Sequence, residues 1–271
     1  MDVSGFFKTD AQPSATVRFI LSTLFFVVMI CSYFTGSYYR HLENPQDNIM
    51  PSASQLLDGA RRVAFERDRN GELRLWVDTA ASTRRFGIAL AITFLAIPLG
   101  VGMGLFPYVE ALFYRFLVFF DKIPALSVLP ILFIVFGLGE LSKVVLIVLG
   151  VFPTVALDAY LRAQAVPREQ IHKAHTLGAS EHEIAYRIVL PQIFPKMLDT
   201  IRLNLKAAML LLIAGESLAA AVGLGYRIFV VRRYVAMDII IPYVLWMTAL
   251  LFLTDWLIQL VIKKRYAWLD K

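Results

Sequence analysis

Three histidines of this chain fall in one short segment, at His172, His175 and His182. The first two have the His-x-x-His spacing, at which imidazole nitrogens can bind zinc. No glutamate stands in a His-Glu-x-x-His frame, and the fourth histidine, His41, is far away in the sequence. A membrane metalloprotein that uses His172, His175 and His182 is therefore one hypothesis, with an incomplete set of ligands.

A second set of candidate residues consists of ionisable side chains inside or beside long apolar runs. Such side chains are costly in a membrane and are typical of proton- or ion-coupled carriers. Asp158 has Arg162 four residues later as an ordinary helical ion-pair partner. Glu216 lies deep in an apolar run beside small residues. An ion-coupled secondary carrier is thus a second hypothesis, and its candidate residues are Asp121, Lys122, Asp158, Glu216 and Asp255.

Chemistry that the sequence lacks narrows the choice. There is no Gly-x-x-x-x-Gly-Lys-Ser/Thr stretch, so the chain has no phosphate-binding loop with which to hydrolyse ATP. Its single cysteine, Cys31, excludes a disulfide framework and a multi-cysteine metal site. The sequence also holds no recognisable set of residues for a nucleophilic enzyme. We therefore predict a non-catalytic chain that binds no cofactor or metal itself.

Composition indicates which elements must position these residues. Of the 271 residues, 58% are hydrophobic and 18% are charged, against about 45–50% and about 25% in soluble domains. The net charge of +6 comes from basic clusters between apolar runs, a pattern of membrane flanks rather than of a nucleic-acid surface. We predict an all-α membrane protein that contacts lipid and binds no nucleic acid.

Six apolar runs are long enough to cross a bilayer, which takes about 20 helical residues. An even number of spans puts both termini on one side, and Lys263-Lys264-Arg265 after the last run favours the cytoplasm. The arginines of region 40–85 favour the opposite orientation, so charge alone is weak evidence for the side on which the termini lie. The predicted spans are 19–39, 86–106, 111–139, 141–161, 201–225 and 239–262, with a cytoplasmic N-terminus (1–18), a periplasmic region (40–85), a five-helix core (86–262) and a cytoplasmic tail (263–271).

Region 40–85 has its own predicted organisation. Residues 51–65 form an amphipathic pattern that is typical of a helix lying along the membrane interface. Arg69-Asn70-Gly71 is a turn signal, and 73–85 is expected to form an elbow that leads into the second span. The apolar stripe of the interfacial helix is Leu56, Leu57, Ala60, Val63 and Ala64.

Several spans contain helix breakers or small residues. Irregular backbone at membrane depth survives only where protein or a water-filled cavity covers it, so these breaks together favour a translocation pathway. For any single glycine, ordinary close helix packing is the better explanation. The pathway candidates are Pro124, Ser127, Pro130, Glu216, Ser217 and Gly223. We expect Arg227, Arg232 and Arg233, near the outer end of the fifth span, to contact lipid headgroups or a binding protein, or to attract an anion.

A polar segment, 163–196, interrupts the apolar runs. Pro167 suits the start of a helix over 168–177, and Gly178 follows where a helix C-terminus favours a left-handed residue. Ser180 and Glu183 form a capping box that starts a second helix, which should stop at Pro191. The segment is predicted to be a helix–turn–helix unit that docks on protein, with an apolar seam of Ile171, Ala174, Leu177, Ile184 and Ile188.

This segment resembles the loop of bacterial ATP-binding-cassette (ABC) importer permeases, which reads Glu-Ala-Ala, three residues, Gly, nine residues, Ile, one residue, Leu-Pro. The matching residues are Ala174, Gly178, Ile188, Leu190 and Pro191. His172 and Lys173 depart from the first two letters, so one acidic contact is lost there. The stretches HTLGAS and YRIVLP are similar to the nitrate/sulfonate/taurine branch. Similarity to that branch extends over residues 49–265, through IMPSASQLLDG, RRFGIALAITFLAIPLGVGMG, IPALSVLPILFIVFGLGELSKVVLIVLGVFPTV and GESLAAAVGLGYRI.

The resemblance implies a type I ABC importer permease fold with about six transmembrane helices in the bacterial inner membrane. It implies a second permease subunit, identical or different, a periplasmic substrate-binding protein, and separate ATPase subunits that carry ATP and magnesium. The solute would be a small anion such as nitrate, a sulfonate or bicarbonate, and the branch also handles heterocyclic vitamin precursors. The loop would touch the ATPase, with both termini cytoplasmic, through His172, Ala174, His175, Leu177, Gly178, Ala179, Ser180, Glu183, Ile188, Leu190 and Pro191.

Overall fold

The computed structural model describes residues 14–45, 47–68 and 71–266. The predictions for residues 1–13, for Arg69 and Asn70 of the turn, and for the tail beyond 266 lie outside the described residues. Within these ranges the chain is helical and has no β-strand. The helices are α1 (Ala15–Glu43), α2 (Ala53–Phe65), α3 (Arg74–Phe94), α4 (Ala96–Leu105), α5 (Pro107–Asp121), α6 (Leu129–Phe136), α7 (Glu140–Gln164), α8 (Arg168–Thr176), α9 (Glu181–Glu183), α10 (Leu190–Ala219), α11 (Leu224–Val231) and α12 (Met237–Arg265).

The predicted membrane spans are present as helices. Four are long and apolar enough to cross a membrane, and two bent pairs bring the number to as many as six among the described residues. The region expected to form an elbow, 73–85, is instead the start of the second span, because helix α3 already begins at Arg74. The reason is local: no proline or glycine separates Arg74 from Phe86, so nothing ends the helix there.

The predicted breaks in the third and fifth spans are also present. Helix α5 ends at Asp121, a 3₁₀ turn covers Ala125–Val128, and the chain bends by 88° into α6. Proline disfavours helical backbone in the residue before it, which explains a break at Ile123-Pro124. The fifth span was predicted to run to residue 225, but α10 ends at Ala219 and the chain bends by 57° into α11. Gly223, with φ of +139°, permits that corner.

Helix α7 lies at the centre of the bundle, and its Leu146, Ile147 and Val155 are fully buried. Helix α4 packs closely on it through two glycines. A Cβ atom on Gly100 would lie 2.4 Å from the carbonyl oxygen of Ala156, and one on Gly104 would lie 2.5 Å from Ala163 Cβ. These glycines therefore serve close helix packing.

The two ends of the bundle differ in character. At one end lie the starts of α3 and α7, the α10–α11 bend and the start of α12, which share polar contacts. At the other end, the polar segment between α7 and α10 packs against the end of α4. The rest of the described chain does not cover the apolar stretch of helix α1. Near its C-terminal end, Tyr33 and Ser37 donate hydrogen bonds to the backbone carbonyls of Pro51 and Met50.

Candidate functional site

Helix α8 ends in a tight turn centred on Gly178. The Gly178 N–H donates to the His175 carbonyl at 2.9 Å, and the Ala179 N–H donates to the Ala174 carbonyl at 3.0 Å. These two bonds define a Schellman motif, with Gly178 at φ +83° as its left-handed residue. The sequence prediction of a glycine cap is confirmed, and the turn holds α8 at a fixed angle to the next helix.

The second half of the turn is the predicted capping box. The Glu183 N–H donates to Ser180 Oγ at 3.3 Å, and the Ser180 N–H donates to Glu183 Oε2 at 3.1 Å. The hydrogen bonds from the Ser180 backbone and side chain, together with the charge of Arg187, hold the pKa of Glu183 below its usual range. Both sides of the turn are thus fixed by backbone hydrogen bonds.

The second helix does not stop at Pro191, contrary to the sequence prediction. A π-helical stretch, Ile184–Val189, connects α9 directly to α10, and Pro191 lies in the first turn of α10. A proline in a regular α-helix loses one hydrogen bond and clashes with the carbonyl four residues earlier. The wider π turn changes that register just before Pro191. As a result, the second helix of the polar segment and the fifth span form one continuous helical run, Glu181–Ala219.

The predicted apolar seam is largely present. Ile171, Ala174 and Ile184 are buried, and Ile188 is half-buried. Leu177 is the exception, because it lies at the C-cap of α8, outside the helical register, and is 87% exposed. The other predicted contact residues are exposed (His172, His175, Gly178, Ser180, Pro191) or half-buried (Ala179, Glu183, Leu190).

Besides its apolar seam, the hairpin, by which we mean residues 168–191, makes two further contacts with the bundle. Gln192 donates a hydrogen bond to the side-chain oxygen of Gln170 at 2.9 Å and so ties α10 to α8. His182 and Tyr186 face Val101 and Phe106 of the α4 end across a cavity of about 330 Å³. The hairpin therefore contacts the ends of both the second and the fifth spans.

The histidines of the hairpin are not arranged as a metal site. His175 Nε2 lies 3.7 Å from Glu181 Oε1, and His172 and His182 are exposed. Within residues 14–45, 47–68 and 71–266, no group of three or more His, Cys, Asp or Glu side chains could hold a metal ion. The sequence spacing of His172 and His175 thus does not bring a further ligand to them.

The pathway candidates fall into two separate groups. Pro124 lines a cavity of about 260 Å³ between the break in the third span and helices α7 and α10. Ser127 and Pro130 are exposed on the same break, and Ser127 Oγ donates to the Pro124 carbonyl at 2.7 Å. The second group is Glu216, Ser217 and Gly223 at the α10–α11 bend.

Glu216 is fully buried inside the chain, rather than on an open cavity. Its Oε1 accepts hydrogen bonds from Ser82 Oγ at 2.7 Å and from Arg85 Nη1 at 2.6 Å, and its Oε2 accepts one from the Gly225 N–H at 2.8 Å. Arg85 also makes a two-bond ion pair with Glu140, at 2.6 and 2.7 Å. The carboxylate therefore links helices α3, α7, α10 and α11.

Asp78, also fully buried, forms the second half of this network. Its Oδ1 accepts the Gly223 N–H at 2.8 Å, and its Oδ2 accepts Arg227 Nε at 2.8 Å and the Tyr243 hydroxyl at 3.0 Å. Arg227 was expected at lipid, at a binding protein or at the pathway mouth, and this ion pair corrects that interpretation. We call the set Asp78, Ser82, Arg85, Glu140, Glu216, Arg227 and Tyr243 the buried polar network.

Sequence reasoning singled out Glu216 but missed its partners. Asp78, Ser82 and Arg85 are spaced by four and three residues, so they share one face of a helix. That pattern was readable but was assigned to an elbow. The remaining carrier candidates are paired as well: Lys122 with Asp121 at 3.3 Å, Arg162 with Asp158 at 2.6 Å and Arg202 with Asp255 at 2.9 Å.

The chain is similar to known transport permeases. The chain is 31% identical to the taurine transport system permease protein TauC of Escherichia coli K12, over 76% of this chain and 75% of that protein. It is also 31% identical to a probable ABC transporter permease protein of Brucella abortus strain 2308, over 82% of this chain and 87% of the relative. A chain from inward-facing structures of the MetNI methionine ABC transporter has a similar fold, with a TM-score of 0.56 and 17% identity, over 70% of this chain and 96% of that chain. Residues 96–265 match the family described as binding-protein-dependent transport system inner membrane component, and the chain therefore belongs to that family of ABC importer permeases.

Proposed function

We propose that this permease is driven through the hairpin, which docks on a separate ATPase subunit and transmits its movement to the spans. The observation that carries the proposal is the Schellman turn at Gly178, which presents the 87% exposed Leu177 at the tip of a doubly capped unit. A fixed turn transmits a push, whereas a flexible loop would absorb it. The continuous helical run through Pro191 connects this tip to the fifth span.

The proposal assigns sides to the two ends of the bundle. The hairpin and both termini lie in the cytoplasm, and the buried polar network lies toward the periplasm, where a binding protein delivers the solute. ATP and magnesium belong to the ATPase subunit, and this chain contributes no catalytic residue and no cofactor site. A second permease subunit completes the pathway, with Pro124, Ser127 and Pro130 near it.

Substitution of Gly178 tests the coupling role. Valine, which is β-branched, is strained at φ +83°, by about 1–3 kcal/mol. Gly71 is a matched control because it has φ +80°, and a Cβ atom added to it would meet no other atom within 4 Å. We expect Gly178→Val to reduce co-purification of the ATPase subunit, or solute-stimulated ATP turnover, at least tenfold. Gly71→Val should leave both at the level of the unaltered protein.

Equal behaviour of the two glycine variants would contradict the coupling role. A further variant, Leu177→Glu, tests the contact itself without backbone strain, since the side chain is almost free of contacts in this chain. Its control is Tyr234→Ala, which alters a 75% exposed side chain near the network end. Transport that persists under an ion gradient, with no ATPase subunit present, would instead support the carrier hypothesis.

We infer that the solute is a small sulfonate. Support comes from the similarity to a taurine permease over three quarters of both chains, since taurine is an aminosulfonate. The candidate pathway offers mostly backbone and small side chains, so selectivity is assigned to the binding protein. Nitrate and bicarbonate are the alternatives among small anions.

Uptake by vesicles that contain the permease, its ATPase and its binding protein tests the solute class. We expect ATP-dependent uptake of labelled taurine that other alkylsulfonates inhibit and that nitrate and bicarbonate do not. Uptake of nitrate or bicarbonate alone would contradict the sulfonate assignment and identify one of these alternatives as the solute. Uptake restricted to a neutral heterocycle would refute the sulfonate assignment while leaving the ATPase-coupling result untouched.

A further inference from the structure

A large apolar cavity lies outside the transport machinery described above. It has a volume of about 850 Å³ and is lined by α2, the start of α3 and the first half of α12. We call it the α2 groove. Its lining includes Leu56, Ala60 and Ala64 of α2, Trp76 of α3, and Leu245 and Ala249 of α12.

The groove continues along one face of α12 as an apolar strip. A second cavity of about 490 Å³ shares Leu245 and Ala249 with it and extends to Trp256. From Leu245 to Trp256 the helix covers about 16 Å at a rise of about 1.5 Å per residue. This length is close to the depth of one hydrocarbon leaflet, about 15 Å, and the lining is almost wholly hydrocarbon. A long apolar strip on a membrane-spanning helix suits contact with one acyl chain.

Two tryptophans line the part of the groove between α2 and α12. Trp76 and Trp246 pack edge to face, with ring centroids 5.5 Å apart. Trp76 Nε1 donates to the Ala64 carbonyl at 3.1 Å, and Trp246 Nε1 donates to Thr79 Oγ1 at 2.9 Å. Tryptophan is enriched at the level of lipid headgroups, where its ring is apolar and its N–H is polar. The pair therefore indicates that the α2 end of the groove lies at headgroup depth.

A carboxylate and a guanidinium lie on α2 beside the groove. Asp58 and Arg61 both line the groove and are exposed, one turn apart on α2. The neighbouring Arg62 is engaged by Asp238 at 2.8 Å, whereas Asp58 and Arg61 have no ion pair or hydrogen bond within the described ranges. A headgroup with one ammonium and one phosphate has the complementary pair of charges, ammonium to Asp58 and phosphate to Arg61.

We propose that the α2 groove binds one membrane phospholipid with an amine–phosphate headgroup, of the phosphatidylethanolamine class. One acyl chain lies along α12 from Leu245 toward Trp256, and the headgroup lies between Asp58 and Arg61. The bound lipid fills the space between the interfacial helix α2 and the sixth span, which otherwise touch around Gly59 and Asp238. It thus stabilises the packing of α2 against the core domain.

Native mass spectrometry of the permease, washed in detergent and then supplied with an equimolar mixture of phosphatidylethanolamine and phosphatidylglycerol, tests this site. We expect one strongly retained phosphatidylethanolamine per chain. Ala249→Phe fills the groove where the two cavities meet, and we expect it to lower the retained lipid at least tenfold. Ala91→Phe makes the same change at an exposed alanine of α3 outside the groove and should retain the lipid.

A headgroup variant separates the two halves of the site without touching the core. Arg61→Gln combined with Asp58→Asn should keep a lipid bound but abolish the preference for phosphatidylethanolamine over phosphatidylglycerol. Retention of the lipid by Ala249→Phe, or equal loss in Ala91→Phe, would overturn the proposal. If Ala249→Phe retains the lipid and also loses association between permease copies, the groove is a protein interface and the proposal is overturned.

Discussion

Replacing Glu216 by glutamine tests the buried polar network. The carboxylate accepts hydrogen bonds from Ser82, Arg85 and the Gly225 N–H, and it is fully enclosed. A glutamine keeps one oxygen for Arg85 and Ser82, but its amide nitrogen then faces the Gly225 N–H, donor against donor. The guanidinium also loses its buried counter-charge. Removing one partner of a buried pair costs about 3–5 kcal/mol.

Glu140→Gln is the matched control for this variant. Glu140 pairs with the same guanidinium at the same 2.6 Å distance, but its side chain is 48% exposed. Exposed ion pairs contribute about 0–1 kcal/mol, and Arg85 would keep Glu216. At about 2–4 °C per kcal/mol, we expect Glu216→Gln to lower the thermal unfolding midpoint in detergent by about 6–20 °C. The Glu140→Gln midpoint should fall by no more than about 4 °C.

A double variant makes the test stricter. Arg85→Met combined with Glu216→Leu removes both buried charges, so its destabilisation should be smaller than the sum of the two single effects. Fluorescence-detected unfolding in one detergent measures this coupling. The four proteins to compare are the unaltered protein, Arg85→Met, Glu216→Leu and the double variant. Equal effects of Glu216→Gln and Glu140→Gln, or strict additivity of the double variant, would refute the claim that burial decides the strength of this network.

Three further predictions follow from other parts of the molecule. Gly100→Ala should destabilise the protein by about 1–3 kcal/mol through overpacking against the Ala156 backbone, whereas Gly102→Ala, whose Cβ would meet only Val109 at 3.7 Å, should be neutral; unfolding midpoints decide between them. Hydrogen bonding and the charge of Arg40 lower the pKa of Asp47 to about 2, so its contribution to stability is complete above the unfolded pKa of about 3.9 and is lost as the pH falls toward 2. A carboxyl-carbon NMR titration should show this midpoint, and Arg40→Met should raise it toward the ordinary value. Arg227→Met should release the Tyr226–Arg232 region, because Asp78 then lacks its counter-ion, and faster hydrogen exchange confined to α11 would report it.

The parts of the fold that the sequence predicted well are those encoded by neighbouring residues. Gly178, Ser180 and Glu183 specify their turn within a few positions, and Pro124 breaks its own span. The continuation through Pro191 was not predictable in this way, because a π turn depends on how the buried Ile184 and Val189 pack on the bundle. Arg227 and Asp78 are 149 residues apart in the chain, and only the folded bundle brings them together. Leu177 does not join the apolar seam because α8 ends at Thr176, one residue before the predicted end.

The corner between α10 and α11 is held through its backbone. The Val222 carbonyl accepts from Arg85, and the N–H groups of Gly223, Leu224 and Gly225 donate in turn to Asp78, Ser82 and Glu216. The side chains of Ala220, Ala221 and Val222 take no part in these bonds. Their identities are therefore free to change, while the number of residues between Ala219 and Gly223 is not. An insertion of a single residue there would shift every one of these bonds out of register, so the corner tolerates substitution but not a change of length.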